Sequence, residues 1–331
     1  MSFAAFAVAM FGAVAGVCLP ATAPDEPYAI GYFGEPMRGL SPAQQASFDR
    51  GYLLFIKTWN ERGLFAHNAN SCTTCHSVPM PGGSGMSDQA LVAVREHSEH
   101  TEVVQRRGRF VSLTNRGHAR TRRTPPLFGI GILENALRVD LVGRTLRPGF
   151  GAFQDVSSLE DFVARAFATE LGVSSSRHCA SRNPHNVPRT CRPDIADGQL
   201  TDVVTYLRYL APPPRRMGDV SRSATAFQQV GCMQCHQESV TTRDNAPAPL
   251  RSIRALAYTD LLRHDLGDGR VRTPPLWGLN STGPPYMHHG RAQSIEEAIQ
   301  QHSGDARGSL DLYNSLPVSE REALLSFLRA L

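Results

Sequence analysis

Cys72-Thr73-Thr74-Cys75-His76 and Cys232-Met233-Gln234-Cys235-His236 are the two stretches on which the reading of this chain turns. Each is a CxxCH pentapeptide, the covalent attachment signature of c-type haem. The two thiols become thioethers, and the adjacent histidine meets the iron, so the macrocycle fixes the spacing. Two competing readings exist, a zinc site and a redox dithiol. A zinc ribbon wants four thiolates close together, whereas Cys75 and Cys232 lie about half a chain apart. A thioredoxin-like dithiol has no need of the following histidine. Two haems bound through Cys72, Cys75, His76, Cys232, Cys235 and His236 are therefore the expectation, and haem brings redox chemistry that side chains lack.

Around each pentapeptide the same order of elements recurs, an internal repeat. Ser41–Asn60 and Val220–Val230 read as helices leading into the motifs. RTPPLFG at 123–129 and RTPPLWG at 272–278 follow. Gln199–Leu210 and Val318–Leu331 close the halves, with apolar residues at i, i+3, i+4 and i+7. Strand alternation is weak. The expected fold is all-α, two cytochrome c-like domains with long loops. The N-terminal haem domain spans 24–211 and the C-terminal one 217–331, parted at Ala211-Pro212-Pro213-Pro214, where prolines stop a helix and stiffen a linker. Only the first half carries extra segments, at 77–122 and 145–195. Long loops in compact domains are usually functional, so the two haems are expected to have different jobs.

The 331 residues suffice for two such domains. The net charge of +4 would be offset by four haem propionates, so the charge argues for neither nucleic acid nor a membrane surface as partner. Arg106, Arg107, Arg109, Arg120, Arg122 and Arg123 are candidates to pair with those propionates, or else a solvated basic face. Residues 1–20 are apolar and uncharged and precede Ala21-Thr22-Ala23, which reads as a signal peptide, 1–23, or as a retained anchor. A periplasmic location is expected. There Cys179 and Cys191 would form a disulfide; in a reducing compartment they would be free.

With these motifs on the page, the chain resembles the bacterial di-haem cytochrome c peroxidase and MauG superfamily. It looks most like the di-haem oxidoreductases with a thiol-oxidoreductase-like label. The resemblance covers about Ser71–Leu331, and YMHHGRAQSIEEAIQQHSGDA at 286–306 is its most diagnostic piece. It implies His76 and His236 as proximal iron ligands. The superfamily's spacing after the PYxH histidine, here His288, falls on His302. Bis-histidine ligation of the C-terminal haem by His236 and His302 follows, with a low potential. Met287 and His289 are rival ligands, and His288 is expected to bond a propionate or shape the haem edge. The spacing that gives the N-terminal haem its sixth ligand lands on Val92, so that ligand does not carry over; Met80, Met86, His97, His100 and His118 remain candidates.

Peroxide cleavage needs an acid/base near an open iron position. Glu170, ending a stripe through Leu159, Val163 and Ala166, falls where the peroxidases place a distal glutamate; Glu134, after an apolar run, is the second candidate. Phe162 stands where they have a glutamine, and the bridging tryptophan has no counterpart in the first half. Trp277 is expected mainly to pack against the second haem. Calcium is doubtful: the superfamily's site uses backbone carbonyls here near Gly283 and Pro285, and its asparagine partner is replaced around Arg123. The resemblance implies a haem-dependent oxidoreductase, peroxidase-like, fed by a small cytochrome or cupredoxin and acting on hydrogen peroxide. A non-enzymatic electron-transfer protein with both haems closed is the alternative.

Overall fold

The computed structural model describes residues 32–59, 69–85, 91–96, 101–103, 105–106, 109–110, 119–138, 149–151, 154, 156–179, 192–214 and 221–331. The described part is mostly helical. The helices are α1 (Pro42–Ile56), α2 (Ile130–Asn135), α3 (Leu159–Glu170), α4 (Asp197–Tyr209), α5 (Ser221–Gln229), α6 (Ile295–Gln300), α7 (Arg307–Ser315) and α8 (Val318–Ala330).

Local chemistry sets the ends of these helices. Pro42 opens α1, and Ser41 and Gln44 cap each other reciprocally. Ser158 and Ser294 accept from the third backbone N–H of α3 and α6. The tyrosine and leucine face of α4 is buried, and the proline run after Leu210 ends it.

In each half the first and last helices cross. α1 packs on α4, and α5 packs on α8. The first crossing is closest at Gly51. A Cβ there would stand 2.0 Å from the Asp202 carbonyl oxygen, so only glycine fits. Gly51→Ala is expected to force the two helices apart and cost about 1–3 kcal/mol. A fall in thermal midpoint with haem content preserved is the measurement that checks it. Arg50 lies beside the crossing and donates twice to Asp202, at 2.8 Å each, holding that carboxyl below its usual range.

The repeat read from sequence recurs in the backbone. The glycine of each RTPPL(F/W)G element donates to the carbonyl that ends its half's closing helix. Gly129 N–H reaches Leu210 O at 3.0 Å, and Gly278 N–H reaches Leu331 O at 2.7 Å. Both glycines have positive φ, 71° and 68°.

The fold departs from the all-α expectation by nine short strands. β1 (Leu91–Glu96) pairs antiparallel with β2 (Thr101–Val103) and β5 (Ala119–Arg123) in the order β2-β1-β5. β3 (Gln105–Arg106) pairs with β4 (Arg109–Phe110). β6 (Val240–Thr241) pairs with β7 (Arg254–Ala255), and β8 (Arg263–Asp265) with β9 (Arg270–Arg272). These strands are short and rich in arginine and threonine, so they leave no apolar alternation to read.

Two apolar cores result. One gathers α1, α3 and α4 and also draws in Val240, Leu250, Ile253, Leu261 and Trp277 from beyond the proline linker. The other holds α5 and α8 with Tyr258, Tyr286 and Tyr313. The halves therefore meet over a shared apolar surface. The strand at 240–241 continues this contact: Leu137 N–H donates to Thr241 O, and Arg243 N–H donates to Asn135 O. Among the described residues no helix is long and apolar enough to cross a membrane.

Candidate haem sites

Both CxxCH motifs form a single 3₁₀ turn, Cys72–Thr74 and Cys232–Gln234, that brings the histidine back under the first cysteine. His76 N–H donates to Cys72 O at 3.0 Å, and His236 N–H donates to Cys232 O at 2.9 Å. The imidazoles are set alike. His76 Nδ1 lies 3.1 Å from Gly83 O, and His236 Nδ1 lies 2.9 Å from Tyr258 O. A carbonyl only accepts, so Nδ1 carries the proton and the lone pair sits on Nε2. Burial pushes both imidazoles down to about 4, which keeps them neutral, as iron ligation requires. Phe55 and Phe227 flank them at equal centroid distances of 6.4 Å.

Burial pushes the thiols of Cys72, Cys75 and Cys232 up to about 12, and that of Cys235 up to about 11. Each motif sets two thiols beside one neutral histidine, the set that thioether attachment of haem uses.

The surroundings fit haem as well. Arg123 Nε, Arg243 Nε, Trp59 Nε1 and Trp277 Nε1 are buried and have no hydrogen-bond acceptor. Arg138 and Arg272 line one small cavity with Phe150 and Leu261. Burial, with Arg138 close by, pushes Arg272 down to about 10. Buried donors and neighbouring guanidiniums call for anions, which propionates supply. The sequence signal for Arg272 is its place in the repeated RTPPL element, at the position that Arg123 holds in the first half. Arg106, Arg107, Arg109, Arg120 and Arg122 have side chains outside the described residues.

His302 is largely buried and acts electrostatically on His236. Its Nδ1 donates to Ala298 O at 2.7 Å, so its lone pair is also on Nε2. Among the described residues no second histidine acts on His76. Met86, His97, His100 and His118 lie outside the described residues. Met80 packs its thioether against Gly34, where a Cβ would come within 2.7 Å of the sulfur.

Glu170 and Glu134 have different surroundings. Glu170 ends α3 half-buried, and its charge adds to burial in raising the Cys75 thiol, which sets it beside the first attachment site. The buried face of α3 runs through Leu159, Val163, Ala164, Phe167 and Ala168, so Ala166 is only half-buried. Glu134 is held by Arg208 at 2.8 and 3.1 Å, and Arg208 also reaches Glu160 at 2.6 Å. Glu134 thus joins α2 to α4, a structural task for a carboxylate.

Phe162 stacks on Phe150 at 5.8 Å, keeping that region apolar where the peroxidases have glutamine. Phe153 and Cys191 lie outside the described residues, and Cys179 is disulfide-bonded. Trp277 abuts the other half: a Cβ on Gly129 would lie 2.6 Å from its ring. Arg123 donates through Nη2 to Thr282 O at 3.0 Å and Gly283 O at 3.2 Å, and its backbone N–H donates to His288 O.

Over residues 180–331 the chain matches the family described as "Di-haem oxidoreductase, putative peroxidase". Among solved structures the chain is similar to a chain of hydrazine synthase from Kuenenia stuttgartiensis, pressurised with 20 bar xenon. The TM-score is 0.52 at 16% identity, covering 100% of this chain and 99% of that one. A MauG-like protein associated with microbial copper homeostasis aligns with a TM-score of 0.44 at 16% identity, covering 91% and 93% of the two chains. No curated protein matches the chain. At such identity the likeness to the hydrazine synthase chain speaks for the fold alone, across the full length.

Proposed function

We propose that this chain is a periplasmic di-haem c-type oxidoreductase of the peroxidase kind. The single observation that carries the reading is the pair of matched CxxCH sites, each with a buried neutral histidine held through Nδ1 by a carbonyl, with His302 close enough to act on His236. In this reading the C-terminal site, with His236 and His302, takes electrons from a small cytochrome or cupredoxin. The N-terminal site receives them and meets hydrogen peroxide. The haems, when bound, supply the one-electron chemistry. The chain's own residues orient and protect it: Gly83 and Tyr258 carbonyls fix the proximal imidazoles, and Phe150 and Phe162 keep one flank of the first half apolar.

Glu170 is the candidate to move a proton at the first site, because Glu134 is committed to Arg208. Calcium has no role in this reading. The Arg123 guanidinium, a fixed cation, already sits on the Thr282 and Gly283 carbonyls that would face one.

The decisive measurement is the spin state of the N-terminal haem in half-reduced protein. A high-spin signal that peroxide abolishes is expected. Low-spin haem at every redox level, indifferent to peroxide, would leave the electron-carrier alternative. Glu170→Gln should retain both haems and lower peroxide turnover about 10²-fold or more, measured as donor oxidation at saturating peroxide.

A further inference from the structure

Asp268, His288 and His289 converge in a cluster that shares no residue with either attachment motif. One ligand atom from each lies within 4.8 Å of the others. His288 Nε2 is 3.3 Å from Asp268 Oδ1, and His289 Nε2 is 3.9 Å from Asp268 Oδ2. The rings of His288 and His289 tilt at 57° with centroids 4.6 Å apart, so both present nitrogens to one carboxylate. His289 is buried, and the other two residues are half-buried.

Two turns bring the three together. Asp268 sits at the tip of the β8–β9 hairpin, closed by Leu266 N–H donating to Gly269 O. The Ser303 hydroxyl donates to Leu266 O, so this tip is anchored next to His302. The histidines lie in the turn between Tyr286 and Ala292, which bridge each other. Met287 enters that turn with φ of 66°, which a non-glycine residue rarely adopts. Arg123 N–H holds the His288 carbonyl from the other half. The three side chains are thus fixed from three parts of the chain before anything binds.

We propose that Asp268, His288 and His289 form a third metal site, separate from the haems, for a first-row divalent cation of the zinc type. Two imidazoles and one carboxylate suit zinc and its neighbours, and two nitrogen ligands disfavour calcium and magnesium. Three protein ligands leave a coordination position for water. Arg291 reaches Asp268 Oδ2 at 3.4 Å and is the resident cation. It is 69% exposed, so a dication displaces it into solvent readily. His289 Nδ1 accepts from Arg291 N–H at 3.1 Å. Ligation through Nε2 therefore moves the proton to Nδ1 and gives up that one hydrogen bond. The site ties the hairpin that touches Ser303 to the turn that leads into α6, and so braces the elements carrying His302.

The test is zinc binding by untagged protein with both haems in place, followed by calorimetry and by metal content after dialysis. Wild type should bind one equivalent of Zn(II) that Asp268→Asn and His289→Gln each weaken at least tenfold. Asp268→Asn should keep the wild-type haem content and Soret spectrum, which separates loss of the site from loss of the fold. Equal binding by wild type and both variants, or no binding at 100-fold excess zinc, overturns the proposal. So does an unchanged affinity in the variants alongside one bound equivalent, which would place zinc elsewhere.

Discussion

Replacing His302 by alanine is expected to turn the haem attached at Cys232 and Cys235 from low-spin to high-spin while leaving the first haem unchanged. The argument starts from the tautomer. A carbonyl oxygen, Ala298 O, fixes the proton of His302 on Nδ1, and burial lowers the imidazole's affinity for a second proton. A neutral ring with its Nε2 lone pair available therefore lies within electrostatic reach of His236, whose own lone pair is set the same way by Tyr258 O. Loss of one of two strong nitrogen ligands weakens the ligand field. It also removes the ligand that favours ferric iron, so the potential should rise by an amount on the order of 0.1 V, within the span of about 0.8 V that axial ligands command. His302→Met supplies the control: a soft ligand should restore low-spin haem but keep the raised potential. Magnetic circular dichroism with a redox titration reads both. An unchanged spectrum in His302→Ala would remove His302 from the iron and send the search to Met287 and the residues near it.

The paired CxxCH turns and the repeat around them were plain in the sequence because each motif is five contiguous residues and the RTPPL elements recur almost letter for letter. The nearness of His302 to His236 was suggested by its spacing from His288, and one turn and one short helix connect the two. Other features were hidden for physical reasons. The strands in the first insertion are two to six residues long, too short for a period-2 alternation to stand out, and β1 opens on the unbroken apolar run Leu91–Val94. Arg123 donates through Nη2 to carbonyls of a segment far along the chain, and no local pattern records such a contact. The Asp268 cluster likewise joins two turns that sequence separates. The Trp277 ring closes on Gly129, because the two halves share one apolar surface. Local spacing is written in the sequence, whereas the join between the halves is decided by tertiary packing.

Within the first half, packing of α2, α3 and α4 rests on Arg208, and Arg208→Leu should be the most destabilising single change outside the candidate haem ligands. Arg208 lies in the last turns of α4, whose backbone meets α2 so closely that a Cβ on Gly131 would stand 1.8 Å from the Arg208 carbonyl. Its guanidinium donates to both Glu134 oxygens and to Glu160, binding α2, α3 and α4 at one point. Burial disfavours its charge, but the two carboxylates outweigh burial and raise its pKa. Leucine would leave Glu134, only 12% exposed, without its cation, whereas Glu160 at 37% would turn to water. Breaking a buried pair from one side costs about 3–5 kcal/mol, and the exposed Glu160 arm adds little. Removing both buried charges is a different matter: Glu134→Leu with Arg208→Leu should recover most of the loss, because two packed apolar chains leave no charge stranded. The pH dependence has a definite sign. Burial pushes the Glu160 carboxyl up, but Arg208 pulls it further down, so its folded pKa lies below the unfolded one near 4.5. Its contribution is present above the unfolded pKa and is lost as pH falls through the folded value. Wild type should therefore lose part of its margin over Arg208→Leu only on acidification below about pH 4.5. Denaturant midpoints at pH 7 and pH 4 measure this, and a gap between the two proteins that stays constant with pH would show that Arg208 acts through packing alone.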